Sequence, residues 1–310
     1  MKDQVLAGLL GLCVGDALGV PVEFRERGYL KQNPIREMIG HGTYDQPAGT
    51  WSDDSSLTFC LAESLCKGYD IYDIGYQSVQ WYHKGHWTPY GEVFDIGNTT
   101  REALDRLCYE LIRPDLAGLT GTRSNGNGSL MRILPLAYFL KEATFEEKVP
   151  MIAAVSSITH RHIRSIIACV IYVEFACHLL QGFDLEESYR KTQVAVNNYY
   201  KDEPELAHFQ AILNGNIAEV TEGEIQSSGY VVHTLEASLW CLFNSVNYVE
   251  AVLKAVNLGE DTDTTGAVTG GLAGIYYGLS AIPGSWVDVL ARKEDIIDLA
   301  ERLAEKLASA

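Results

Sequence analysis

Residues 259–278 read GEDTDTTGAVTGGLAGIYYG, an acidic, hydroxyl-rich turn that runs into an apolar segment carrying Gly266, Gly270, Gly274 and Gly278. A spacing of four places these glycines on one helical face. Glycine costs about 1 kcal/mol relative to alanine inside a helix, so such a row needs a compensating reason, and close approach of a second backbone supplies one. A matching row, Gly8, Gly11, Gly15 and Gly19, lies near the other end of the chain. Both helices are therefore expected to be central.

Helical periodicity fills the span between them. Candidate helices fall near 3–19, 54–68, 72–84, 97–111, 128–141, 146–157, 162–181, 185–200, 230–244, 248–257, 263–278 and 292–308. No alternating strand is convincing; residues 35–44 read as a short strand or an irregular loop. The fold class expected is all-α, a single-domain orthogonal helical bundle over residues 1–310, since no Pro/Ser-rich linker or charge run divides the chain.

A formal charge of −17 argues against a basic nucleic-acid-binding surface or attraction to acidic membranes. The apolar N-terminal stretch is interrupted by Asp16, which argues against a signal peptide, and no other run looks long enough to span a bilayer. The seven cysteines lie in apolar, helix-like segments without CxxC spacing. They are expected to be reduced core residues of a cytoplasmic protein, which makes zinc a poor candidate metal. Without a heptad seam, the expected state is monomeric.

Two acidic clusters stand out, Ser52-Asp53-Asp54 and Asp261-Thr262-Asp263-Thr264, with no nearby lysine or arginine. Carboxylates and hydroxyls gathered without a counter-charge suit a hard cation such as Mg²⁺ or Mn²⁺. Each cluster also reads as an ordinary helix cap, because Ser, Thr and Asp favour N-cap and first-turn positions. Between them, Asn125-Gly126-Asn127-Gly128-Ser129 precedes an apolar segment. Glycines with positive φ, together with a helix N-terminus, would turn backbone N–H groups toward a diphosphate. Arg132, one turn further on, reads alternatively as a structural salt-bridge residue.

Seven segments occur in order, GLLGLCVGDALGVPVEF, GTWSDDSSLTFCLAESL, FDIGNTT, SNGNGSLMRILPLA, SSITHRH, GYVVHTLEASLW and GEDTDTTGAVTGGLAGIYYG, in a match that spans residues 5 to about 278. Together they resemble the ADP-ribosylglycohydrolase family, most closely its bacterial branch, like the hydrolase that removes ADP-ribose from dinitrogenase reductase. The resemblance implies an all-α domain with a binuclear Mg²⁺ or Mn²⁺ centre. By it, Ser52, Asp53, Asp54, Asp261, Asp263 and Thr264 are the metal ligands, Ser52 replacing the more usual threonine. Asp95 and Glu23 become candidate catalytic carboxylates. Asn125, Gly126, Asn127, Gly128, Ser129, His160 and Tyr230 become substrate-binding residues.

The activity so implied is hydrolysis of the bond between ADP-ribose and an acceptor on a mono-ADP-ribosylated protein, with free ADP-ribose as product. Arginine, through an N-glycosidic bond, is the expected acceptor. Serine, nucleic-acid or small-molecule acceptors are alternatives set by the loops 25–50, 84–95 and 214–229. A non-catalytic crystallin-like protein or a toxin-blocking binding protein would retain the fold without the chemistry.

Overall fold

The computed structural model describes Lys2–Ser309. Fifteen α-helices occur among these residues. The first five are α1 (Lys2–Gly19), α2 (Arg27–Gln32), α3 (Asp53–Leu65), α4 (Ile71–Lys84) and α5 (Asn98–Tyr109). They are followed by α6 (Pro135–Phe139), α7 (Phe145–Ser156), α8 (Ile163–Leu180), α9 (Leu185–Tyr199) and α10 (Gln210–Leu213). The last are α11 (Val231–Phe243), α12 (Tyr248–Val256), α13 (Thr262–Tyr277), α14 (Gly284–Val287) and α15 (Lys293–Ala308). The described residues contain no β-strand and only isolated bridges, so the all-α class is observed.

The antiparallel pair α1–α13 forms the axis, with α3, α8, α11, α12 and α15 packed around it. A methyl built on Gly11 would lie 2.5 Å from the Gly270 carbonyl oxygen, and Gly15 and Gly266 exclude a side chain on each other in the same way. The backbones can meet because these glycines leave room. Not every glycine serves this contact: Gly8 faces the Tyr138 side chain, and Gly278 ends α13 with φ 83°. Polar groups fasten the axis to its surroundings. The Tyr248 hydroxyl donates to the Gly11 carbonyl at 2.7 Å, and the Tyr172 hydroxyl to that of Val268 at 3.1 Å.

Two expectations are corrected. Residues 128–141 do not form one helix; turns lead to the five-residue α6. Pro135 has no N–H to offer the Met131 carbonyl, which instead accepts from the Thr58 hydroxyl at 3.4 Å. The Lys2–Val22 and α8 segments are in fact long and apolar enough to cross a membrane, yet 94% and 78% of those stretches are buried inside the fold. Residues 35–44 are irregular, with a single turn at Gly42–Tyr44. All seven cysteines are free, five buried and Cys66 and Cys108 half-buried.

Candidate active site

The glycine contact sets the ends of α1 and α13 beside the start of α3. Asp16, wholly buried in α1, accepts from the Ser52 amide at 2.9 and 3.1 Å, the Ser55 amide at 3.0 Å and the Ser55 hydroxyl at 2.6 Å. One carboxylate thus satisfies orphan donors at the α3 N-terminus and pins that terminus to α1. Ser52 caps the same helix, accepting from the Asp54 amide at 3.3 Å, while its hydroxyl donates to Asp54 Oδ2 at 2.9 Å. On the other side, the Thr262 hydroxyl donates to the Gly19 carbonyl at 2.8 Å and holds the start of α13 against α1. Thr264 then donates to Asp54 Oδ2 at 3.4 Å, joining the two acidic motifs directly.

The carboxylates so gathered lack counter-charges. One oxygen from each of Asp16, Asp54 and Asp263 lies within 4.8 Å of the others, as does one from each of Glu23, Asp95 and Asp263. Burial first, and neighbouring acids second, push the Asp54 carboxyl well above the usual range; those of Asp53 and Asp263 rise likewise. Burial also lifts Glu23 to about 9, reinforced by Asp95 and Asp261. Buried oxygens of Glu23, Asp54, Asp261 and Asp263 have no hydrogen-bond partner. None of these carboxylates joins an ion pair among the described residues. Unpaired buried oxygens converging on one region fit a hard divalent cation, which would satisfy them and remove the repulsion. Capping accounts for Ser52 but not for Asp261, whose side chain makes no cap bond.

A cavity of about 320 Å³ opens onto this cluster. Glu23, Asp53, Asp95, Asp261 and Thr264 line its acidic part, and Arg123, Gly126, Asn127, Gly128 and His160 line the rest. Asp95 is not the cap of α5, a place taken by Gly97. It sits two residues earlier with φ 59°, and its Oδ1 accepts from the Tyr44 hydroxyl at 2.5 Å. Burial raises its pKa from the ordinary carboxylate value.

The glycine-rich segment differs from expectation. Neither Gly126 nor Gly128 has positive φ, and no regular helix follows immediately, so neither the backbone nest nor the helix-dipole argument holds. Gly128 is needed for space: a side chain there would meet His160 Cε1 at 2.8 Å. Asn127 Nδ2 donates to Asp261 Oδ2 at 2.8 Å and to Thr234 Oγ1 at 2.9 Å, fixing the carboxylate. Asn125 and Ser129 turn away from the cavity. The former accepts from the Ser165 hydroxyl at 3.1 Å, and the latter from Ser156 at 3.0 Å. Arg132 forms no salt bridge; Nη2 reaches the Val155 carbonyl at 3.3 Å and Nη1 has no partner.

His160 is buried with Nδ1 2.9 Å from the Thr159 hydroxyl, and burial drives its pKa down to about 3, leaving a neutral imidazole at the cavity wall. Tyr230 pairs with Gly126 through its backbone. Its hydroxyl accepts from Arg164 at 3.0 Å and its ring meets His233 at 4.8 Å, so the side chain is not among those lining the cavity. Asp16 and Tyr44 were missed as candidates. Asp16 had a signal, a lone acid inside a glycine-striped apolar helix, whereas nothing in the sequence around Tyr44 marks it.

The family model for ADP-ribosylglycohydrolase matches residues 1–310. The chain belongs to the ADP-ribosylglycohydrolase family. This ADP-ribosylglycohydrolase is 35% identical to the ADP-ribosylarginine hydrolase Tri1 of Serratia proteamaculans, over 97% of this chain and 79% of that protein. It is 32% identical to the ADP-ribosyl-[dinitrogen reductase] glycohydrolase of Rhodospirillum rubrum, over 94% and 92% of the two chains. A solved structure described as an ADP-ribosylglycohydrolase-related protein complex superposes with a TM-score of 0.83 at 32% identity, covering 99% of this chain and 98% of that one. The protein is thus a hydrolase of ADP-ribose glycosidic bonds.

Proposed function

We propose that this enzyme removes ADP-ribose from arginine side chains of mono-ADP-ribosylated proteins, cleaving the N-glycosidic bond with the help of two Mg²⁺ or Mn²⁺ ions. The observation that carries this reading is the set of partnerless buried oxygens on Glu23, Asp54, Asp261 and Asp263 around one cavity. The arginine acceptor is supported by similarity to proteins named ADP-ribosylarginine hydrolase, at 35% identity across nearly the whole chain.

In this reading Ser52, Asp53, Asp54, Asp261, Asp263 and Thr264 hold the ions, and Asp16 and Asn127 fix their orientation. The bound ions supply electrophilic assistance and orientation of ribose hydroxyls. The chain's own groups do the rest. Cleavage breaks the bond from C1 of the distal ribose to the guanidino nitrogen and develops positive charge on the sugar, which the surrounding carboxylates stabilise. Asp95, at the cavity wall, gives a proton to the departing nitrogen or takes one from the attacking water, with Glu23 beside it as the alternative carboxylate. Gly126, Gly128 and neutral His160 border the ADP-ribose. Tyr230, Asn125 and Ser129 support that wall from behind. The seven free thiols support residence in the cytoplasm, the continuous core supports a single domain, and a monomer completes the reading.

The test is release of ADP-ribose from a mono-ADP-ribosylated arginine protein with Mg²⁺, with Mn²⁺ and with EDTA, alongside the Asp53→Ala/Asp263→Ala variant. Release that requires both metal and the aspartates is expected. Release from a serine-linked substrate alone would overturn the arginine assignment, and release undiminished by EDTA would overturn the metal centre.

A further inference from the structure

Phe24 follows Glu23 directly, lines the cavity and leaves 67% of its surface exposed. Its backbone takes φ 65°, a left-handed conformation uncommon for a bulky residue. Backbone bonds hold it there: the Phe24 N–H donates to the Glu260 carbonyl at 2.6 Å, and the Glu260 N–H donates to that of Arg25 at 2.8 Å. Glu260 is also left-handed, at φ 60°. The ring does not join the buried core and stacks on no other aromatic side chain among the described residues. Neither packing nor turn preference explains an aromatic residue at this position, and strained backbone of this kind concentrates at ligand sites.

Position indicates which end of the substrate meets the ring. Phe24 is flanked through Glu23 and through Glu260–Asp261 by carboxylates that face the cavity, whereas Arg123, the one lysine or arginine among the lining residues, lies on a different segment with Gly126 and Gly128. A diphosphate is drawn toward Arg123. In the proposed reaction the departing guanidinium leaves beside Glu23 and Asp95, the lining carboxylates not assigned to the ions, and an exposed aromatic face next to Glu23 offers it a further attraction. Resting on the arginine-hydrolase reading above, we propose that Phe24 recognises the acceptor, its ring forming the face against which the guanidinium leaving group lies.

The experiment measures KM and kcat on an ADP-ribosylated arginine peptide for wild type, Phe24→Leu and Phe24→Trp, with the Ki of free ADP-ribose for each. Melting temperatures check that the exposed substitutions leave the fold intact. Phe24→Leu is expected to raise KM about tenfold with kcat falling less than twofold, since the contact is made equally in ground and transition states. Phe24→Trp is expected to stay within about threefold of the wild-type KM, because the larger ring keeps the attraction. The Ki of ADP-ribose, which carries no guanidinium, is expected to be the same in all three proteins. A Ki that rises in step with KM would place the ring on the nucleotide and overturn the proposal, as would an unaltered KM in Phe24→Leu. A wild-type protein inactive on the arginine peptide would overturn the arginine reading itself, a result seen before any variant is compared.

Discussion

The Tyr44 hydroxyl donates a 2.5 Å hydrogen bond to Oδ1 of Asp95, tying the turn at Gly42–Tyr44 to the loop before α5. Their neighbours reinforce the link, with the Tyr44 and Phe94 rings 5.1 Å apart and Thr43 donating to the Glu23 carbonyl at 2.8 Å. A hydrogen bond to a charged group is worth about 1.5–3 kcal/mol. Tyr44→Phe keeps the ring and removes this bond, so kcat/KM is expected to fall about 10- to 160-fold, as set by that range. Steady-state kinetics beside a melting curve checks this; a fall in stability with kcat/KM unchanged would make Tyr44 purely structural.

Asp263 is fully buried with one oxygen unpartnered, so keeping it there without a cation costs the metal-free fold stability. Asp263→Asn is expected to raise the melting temperature of EDTA-treated protein and to abolish the rise that Mg²⁺ or Mn²⁺ produces in the wild type. Ligand at a hundred times its Kd stabilises by about 2.7 kcal/mol. Calorimetry with and without metal reads both effects, and a variant that still gains stability from metal would remove Asp263 from the ligand set.

His160 gives stability a pH dependence of definite sign. Its pKa in the fold is about 3, whereas the unfolded chain takes up the proton near pH 6.5, at about the ordinary histidine value. Between those values the unfolded state binds more protons, so stability contributed by neutral His160 is lost as pH falls below about 6.5. The carboxylates with raised pKa act in the opposite direction, so the comparison must be between proteins. His160→Gln is expected to flatten the acid-side decline relative to wild type in urea titrations from pH 7 to 4, and parallel curves would exclude the effect.

Gly15→Ala and Gly28→Ala form a matched pair. A methyl on Gly15 enters the backbone of Gly266, which cannot rotate aside, while one on Gly28 in α2 meets nothing within 4 Å. The first is expected to destabilise by about 3 kcal/mol or more, and the second to stabilise by up to about 1 kcal/mol through helix propensity. Denaturant unfolding distinguishes them, and equal effects would deny the α1–α13 contact its role.

Much of this molecule is legible in its sequence. The longer helices follow from apolar periodicity, whereas the short α2, α10 and α14 are not expected from it, and α1 and α13 pair as the glycine rows require, because a row of missing side chains has few uses other than backbone contact. Both acidic motifs were visible as charge without counter-charge, and they do meet, at Thr264 and Asp54. Other features depend on partners distant in sequence. Asp16 earns its position through Ser52 and Ser55, and Tyr44 through Asp95. The turns at 125–134 are held by the Gly229 carbonyl, which accepts from Asn127 at 3.1 Å, and by the amide of Val231, which donates to Asn125 at 3.0 Å. Local propensity favoured a helix there; these contacts and Pro135 prevailed. Asn125 and Ser129 show the same limit, since a motif match does not reveal which of its members face inward.

Thr264 and Asp54 are 210 positions apart, although their side chains touch. At the usual elongation rates of about 5–20 residues per second, a ribosome completes the first acidic motif some 10–40 s before the second emerges. During that interval α1 has no α13 to cover its glycine face, and the nascent chain carries an uncovered apolar helix. Until residues 261–264 are made, one of the two acidic walls of the cavity is missing, so the site is assembled only when both motifs are present.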